Sequence, residues 1–235
     1  MLTILYRACD KELESVPTRF GRPSWFSKVN CFKSLHNSYL NCKYKDQIKI
    51  IILMDGDKSI LSDEIEKLNY TIVYNKVKSN YLSLQFQLDY SQKISEGNVY
   101  FTEDDYLYTT DALDHIYMGV ERFGLITGYD HPDRYTNNDD ICLGNESIYF
   151  YEGKHWRTCE STTCSWAVSR NLISHIIPIA KRFGLDDRLL FRHLYQNNIR
   201  LYSPIPGIAT TVHEPVISFG VDWKHINRLI SNNQT

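Results

Sequence analysis

Val99-Tyr100-Phe101-Thr102-Glu103-Asp104-Asp105-Tyr106-Leu107-Tyr108 is an apolar, β-prone run that ends abruptly in three acids, after which aromatic and aliphatic residues resume at once. Adjacent like charges repel, and a carboxylate taken out of water is costly unless it is paired or bound to a cation. Two readings follow. The acids form a divalent-cation site, with oxygen ligands suited to Mg²⁺ or Mn²⁺, or they form a solvated turn between two strands. The stretch alone leaves both open.

Upstream, the same pattern of apolar strand and then charge occurs twice more. Ile48-Lys49-Ile50-Ile51-Ile52-Leu53-Met54 is nearly continuous in apolar residues and reads as a buried strand of the parallel type. It stops at Asp55-Gly56-Asp57, a common turn sequence that also sets a carboxylate at a strand end. Leu2-Thr3-Ile4-Leu5-Tyr6 is a first core strand running into Arg7-Ala8-Cys9-Asp10, and Tyr70-Thr71-Ile72-Val73-Tyr74 is another strand. Helical faces lie between them. Ser24 is placed to cap one that carries Trp25, Val29, Phe32 and Tyr39. Leu61, Ile65 and Leu68 mark a second, and Tyr81, Leu84 and Leu88 a third that runs to about Ile94. Strand–helix alternation at this spacing predicts right-handed βαβ units and a mostly parallel sheet flanked by helices. All C-terminal strand ends then share one edge, where open α/β sheets bind ligands. Arg7, Asp55 and Glu103-Asp104-Asp105 should converge there. Lys28 falls in the first turn of its helix, where it is either a surface lysine or the partner of a nearby anion.

Downstream, Leu113, Ile116, Tyr117 and Val120 predict a helix, and Leu125–Tyr129 a strand ending in Asp130-His131-Pro132-Asp133-Arg134-Tyr135. Residues 136–146 read as a polar loop and Ser147–Tyr151 as a strand. A helix over Asn171–Phe183 is expected to kink or break at Pro178 and to close at Gly184. Asp186-Asp187 open the next helix, where acids are favourable as caps in their own right. Ile199–Tyr202 is a last strand, before the loop that holds Pro206-Gly207 and His213-Glu214.

The 235 residues suit one α/β domain, and there is no internal repeat, low-complexity tract or flexible linker. Hydrophobic residues make up 43% of the chain, enough for a substantial core. The formal net charge of -2, with no dense basic run, argues against nucleic acid as a partner. No apolar stretch is long enough to be a transmembrane helix. Met1–Arg7 is too short and too quickly charged for a signal peptide. The six cysteines form no CxxC pair, so a zinc site is not indicated and reduced cytoplasmic thiols are expected. Trp156 and Trp166 are either core or an aromatic platform for a ligand.

With these motifs in order, the chain resembles the GT-A class of nucleotide-sugar glycosyltransferases over nearly its whole length. Glu103-Asp104-Asp105 after a core strand looks like the DxD motif of that class, although it begins with Glu. Cys164-Ser165-Trp166-Ala167-Val168-Ser169-Arg170 is similar to the small-residue segment before the acceptor-side helix, and Asp186-Asp187 to the acidic pair that opens the next helix. His213 stands where many such enzymes carry a metal-binding histidine. Arg22-Pro23-Ser24-Trp25-Phe26-Ser27-Lys28, the stretch Phe101–Leu107, the stretch Tyr129–Tyr135 and Pro206-Gly207 resemble a narrower group. These are small family-two-like transferases found in bacterial surface-glycan loci and in large DNA viruses.

The resemblance implies a single domain over 1–235, with a nucleotide-sugar half (about 1–108) and an acceptor and catalytic half (about 109–235). It implies an inverting transfer from a UDP-sugar to a glycan or glycoprotein hydroxyl, in the cytoplasm or in a host's cytoplasm, with Mn²⁺ or Mg²⁺ as cofactor. The metal ligands are then Asp105, His213 and Glu103. The nucleotide side comprises Arg7, Lys28, Asp55 and Asp104, and the acceptor side Asp130, Trp156, Trp166 and Asp186. Asp187 is the general base. The competing enzyme reading is a sugar-nucleotide pyrophosphorylase. It calls for a Gly-rich basic loop after the first strand, where this chain has Arg7-Ala8-Cys9-Asp10-Lys11-Glu12. A catalytically inactive sugar-binding module is the third.

Overall fold

A computed structural model describes residues 1–10, 21–94, 96–135 and 146–232. Arg19 and Cys142 lie outside the described residues, as does the expected polar loop except for Glu146.

The first half alternates as the hydrophobic pattern requires. The elements are β1 (Leu2–Cys9), α1 (Lys28–Asn41), β2 (Ile48–Asp55), α2 (Ile60–Lys67), β3 (Thr71–Asn75), α3 (Asn80–Ser91), β4 (Asn98–Glu103) and β5 (Tyr106–Tyr108). The second half comprises α4 (Ala112–Phe123), β6 (Leu125–Ile126), β7 (Ile148–Tyr151), β8 (Lys154–Cys159), β9 (Trp166–Val168), α5 (Arg170–Phe183), α6 (Asp187–Gln196), β10 (Leu201–Ile205), β11 (Ala209–Thr211) and α7 (Trp223–Asn232).

One nine-stranded sheet runs β3-β2-β1-β4-β9-β6-β10-β8-β7, and a two-stranded ribbon pairs β11 with β5. The pairs among β3, β2, β1 and β4 are all parallel. Only β9 and β8 run against the rest of the large sheet, so it is a mostly parallel α/β sheet as expected. Its two faces are both covered. Ile4, Tyr6, Ile50, Ile52 and Tyr100 pack against Phe32 and Leu35 of α1, Ile65 of α2 and Ile116 of α4. Their alternating neighbours Leu5, Ile51, Leu53, Val99 and Phe101 pack against Leu84 of α3, Ile176 of α5 and Phe191 of α6. Each such fully buried side chain stabilises the fold by about 1.5–3 kcal/mol. Covering both faces is why these strands read as continuous apolar runs. No helix among the described residues is long and apolar enough to cross a membrane.

Three local expectations are revised. Helix α1 is capped by Ser27, whose side chain accepts from Asn30 N at 3.3 Å, and not by Ser24. Pro23 O accepts from Phe26 N at 2.9 Å and holds residues 23–26 in a turn instead. Helix α5 runs continuously from Arg170 to Phe183 through Pro178. Strand β6 stops at Ile126, because Thr127 Oγ1 donates to Ser165 O at 2.7 Å and Gly128 O accepts from Ile208 N and Ala209 N. The chain therefore leaves the sheet three residues early.

Candidate active site

In-register pairing places Arg7 beside Glu103 and Cys9 beside Asp55, so the strand ends of β1, β2 and β4 do meet on one edge. The structure then sorts the predicted residues into separate groups.

Glu103 closes a buried ion pair with Arg7, whose Nη1 also donates to Asn80 O at 3.1 Å. The pair sets Glu103 apart from the expected metal ligands and engages Arg7 away from a nucleotide base. Asp104 accepts from Cys9 N at 2.9 Å and pairs with Lys28 Nζ at 3.0 Å. Burial works to lower the Lys28 ammonium, but the Asp104 carboxylate outweighs it and holds Lys28 above its usual range. The anion near Lys28 that its helix position called for is therefore Asp104. Asp55 accepts from Lys78 N at 3.1 Å and fastens the turn after β3, one strand away from the other acids. Beside it Gly56 sits at φ +119°, where a Cβ would collide with the Asp10 carboxylate.

Asp105 lies deeper. Its Oδ2 takes Arg22 Nη1 at 3.2 Å and Thr211 Oγ1 at 3.4 Å, with His213 Nε2 at 3.1 Å. Strand β11 pairs with β5, and Val212 N donates to Asp105 O at 2.9 Å; this pairing brings His213 to Asp105 across the long sequence gap. Burial acts to raise the Asp105 carboxyl, but the His213 hydrogen bond and the Arg22 charge together hold it below the usual range. Its other oxygen, Oδ1, is buried without a hydrogen-bond partner. An orphaned carboxylate oxygen is expensive in the interior and suits a bound cation. Among the described residues no three His, Cys, Asp or Glu side chains converge as a metal cage. Mg²⁺-type sites need only one or two protein ligands when substrate phosphates and water supply the rest. Asp105 and His213 fit such a partial site, and Glu103 does not.

A separate cleft of about 670 Å³ is lined by His131, Asp133, Ser161, Thr162, Thr163, Leu185, Asp186, Asp187 and Arg188. Asp186 caps α6 by accepting from Leu189 N at 3.0 Å, which sets Asp187 as the first residue of the helix. Asp187 accepts a hydrogen bond from Cys164 Sγ at 3.3 Å. Desolvation dominates at Asp187. The Cys164 bond and the Arg7 charge oppose it, and the carboxyl is still pushed up to about 7.

The remaining acceptor-side residues are not exposed to this cleft. Trp156 is 0% exposed and packs on Phe123, fitting against α4 only because Gly119 has no side chain; a Cβ there would approach Trp156 Cη2 to 2.6 Å. Trp166 is 3% exposed between Phe101 and Phe191. Neither indole can serve as a platform. Asp130 is 0% exposed and forms a buried ion pair with Arg157, with Tyr135 donating to its Oδ2 at 2.5 Å. It holds the wall of the cleft together from behind.

Arg22 and Cys164 are contact residues that the motif reading quoted without giving them a role. Arg22 lies in the segment just before α1, outside its apolar periodicity. Cys164 sits in a run of small hydroxyl residues whose only sequence signal is the absence of bulk.

A covered, largely parallel sheet with charged side chains at its C-terminal strand ends defines a Rossmann-like α/β scaffold of the kind that binds nucleotides there. No family model matches the sequence, and no curated protein does either. Among solved structures the fold is similar to a CMP:2-keto-3-deoxy-manno-octonic acid synthetase complexed with CTP (TM-score 0.53, 10% identity, 98% of each chain covered). It is also similar to a mannosyltransferase from Pyrobaculum calidifontis in complex with GDP-Man and Mn²⁺ (TM-score 0.52, 12% identity). That match covers 85% of this chain and 53% of the mannosyltransferase. A third likeness is to a nucleoside-diphosphate-sugar pyrophosphorylase from Vibrio cholerae (TM-score 0.50, 8% identity, 90% of this chain and 95% of that one). At these identities the likeness is one of fold. The scaffold is thus one shared by nucleotidyltransferases and a glycosyltransferase.

Proposed function

We propose that the chain is a metal-assisted, inverting glycosyltransferase of the GT-A, family-two-like type. It moves a sugar from a nucleoside-diphosphate donor, a UDP-sugar by default, to a hydroxyl of a glycan or glycoprotein. The observation that carries this reading is Asp187, a carboxylate in the wall of an open cleft whose pKa is pushed up to about 7. A general base works best with a pKa near the operating pH. In the reaction the acceptor O–H proton passes to the Asp187 carboxylate as the oxygen attacks the anomeric carbon. The bond from that carbon to the diphosphate breaks on the opposite face, and the electron pair leaves with the nucleoside diphosphate. One base and one in-line displacement give inversion.

Lys28 and Asp104 order the donor-side strand ends, and Asp186 and the cleft residues receive the acceptor. Asp105 and His213 would hold a divalent cation, with Mn²⁺ favoured over Mg²⁺ by the imidazole ligand. When bound, such an ion supplies Lewis-acid stabilisation of the departing phosphate charge. Residues 1–108 form the donor half and 109–235 the acceptor half.

Nucleotidyl transfer is the second reading, favoured by the likeness to the synthetase and the pyrophosphorylase. A thermal-shift panel of UDP-, GDP- and dTDP-sugars with Mn²⁺, run beside nucleoside triphosphates, separates the two when coupled to product detection. A true donor raises the melting temperature by mass action. Release of nucleoside diphosphate from a nucleotide sugar supports the glycosyltransferase. Release of pyrophosphate from a triphosphate and a sugar 1-phosphate overturns it. Stabilisation with no product at all points to an inactive sugar-binding module.

A further inference from the structure

We infer that Cys164 is the positioning residue of Asp187, a thiol clamped in place to hold one carboxylate oxygen and leave the other to the substrate. The inference rests on the reading of Asp187 as the base. Cys164 Sγ donates to Asp187 Oδ2 at 3.3 Å. Both of its chain neighbours are pinned. Thr163 Oγ1 is hydrogen-bonded to Tyr106 Oη. Ser165 Oγ lies 2.7 Å from Tyr100 Oη, and Ser165 O accepts from Thr127 Oγ1 at 2.7 Å. Ser165 N closes back on Thr163 O at 2.5 Å, a tight turn with Cys164 at its tip. A side chain on such a turn has little freedom, and low freedom is what a positioning role needs.

The same clamp joins the two acidic corners of the site. Tyr106 follows Asp105 directly in the chain, so the bond to Thr163 ties the backbone of the Asp105 corner to the turn that addresses Asp187. The thiol is a donor that persists. Burial, followed by the negative charge of Asp187, pushes Cys164 well above the ordinary thiol range, so it stays protonated wherever Asp187 titrates. The other charges facing Asp187 are Arg7 from β1 and the adjacent Asp186, with His131, Asp133 and Arg188 also lining the cleft. The hydrogen bond at the Asp187 carboxylate comes from Cys164.

Two measurements on the full chain need no substrate. In infrared spectra the Cys164 S–H stretch should shift as pH crosses about 7 and become pH-independent in Asp187→Asn. In proteins labelled with ¹³C at aspartate carboxyls, Cys164→Ala should move the Asp187 titration upward by about one pH unit. Cys164→Ser, which keeps a donor, should return it to near the parent midpoint and guards against a merely disrupted fold. An S–H band indifferent to pH, or identical Asp187 midpoints in parent and Cys164→Ala, overturns the inference. Failure of Asp187 as the base is a different result: full transfer activity in Asp187→Asn.

Discussion

Asp105 and Asp187 are both withdrawn from bulk water, and the structure treats them in opposite ways. Asp105 is surrounded by Arg22, Thr211 and His213, which keep it ionised. Among the described residues Asp187 meets one weak thiol donor and the charge of Arg7, and burial wins. One carboxylate is built to stay charged across the working pH range and the other to change. That is the division that metal-assisted transfer requires, with a permanent anion beside a cation and a base that picks up a proton and gives it back.

The sharpest way to break the comparison is to remove the titrating member. Asp187→Asn should lower transfer by about 10²–10⁴-fold, while UDP binding, read by calorimetry, stays intact. A variant that loses nucleotide binding to the same extent would put Asp187 on the donor side. The next largest effect falls on the charge pair that separates the two corners. Arg7→Met leaves Glu103 uncompensated in a largely buried place and should destabilise the fold by about 3–5 kcal/mol. This is visible as a drop in melting temperature, and Glu103→Gln made in the same background should recover part of it.

The permanent anion gives the third prediction. A ligand at ~100 times its Kd stabilises by about 2.7 kcal/mol, and the part of the UDP shift that depends on Mn²⁺ should vanish in Asp105→Asn and shrink in His213→Ala. If the Mn²⁺-dependent shift persists in both, these residues are not the metal ligands. The last effect is a pH-linked one. Asp187 has a folded pKa of about 7 against an ordinary 3.8, so the folded state holds its proton more tightly than the unfolded chain. The ionised form therefore costs stability, and that cost grows between about pH 4 and pH 7 and is fully present above. Asp187→Asn should melt higher than the parent at pH 8, by ~2–4 °C for each kcal/mol removed, with the difference fading below pH 4. An equal offset at both pH values would mean the carboxyl is not perturbed by burial.

The same contrast explains what could be read from the chain. Strands such as Ile48–Met54 and Val99–Phe101 are legible because both faces of the sheet are covered, so each position demands an apolar residue. That Arg7 and Glu103 share one edge follows from the parallel alternation; that they are direct neighbours comes from the β1–β4 pairing. β8, β9 and β11 were not legible. β9 and β11 are only three residues each, and β8 is rich in polar and charged residues; β9 fits antiparallel between β4 and β6, a place set by tertiary pairing rather than by period. Trp156 and Trp166 show the limit at single residues. An indole suits a core more often than a platform, and the gap left by Gly119 and the stack on Phe101 put these two in the core. Lys28 could be placed in its helix but its partner could not, because Asp104 arrives from a distant strand end.

The central claim is that Asp187 is the base and titrates near neutrality because burial raises it further than the Cys164 hydrogen bond lowers it. The pH profile of kcat/KM for sugar transfer tests it most directly. The account predicts an acid limb that rises with unit slope and bends near pH 7, and that is missing from the residual activity of Asp187→Asn. A flat profile through pH 7, or the same limb in parent and variant, would contradict it.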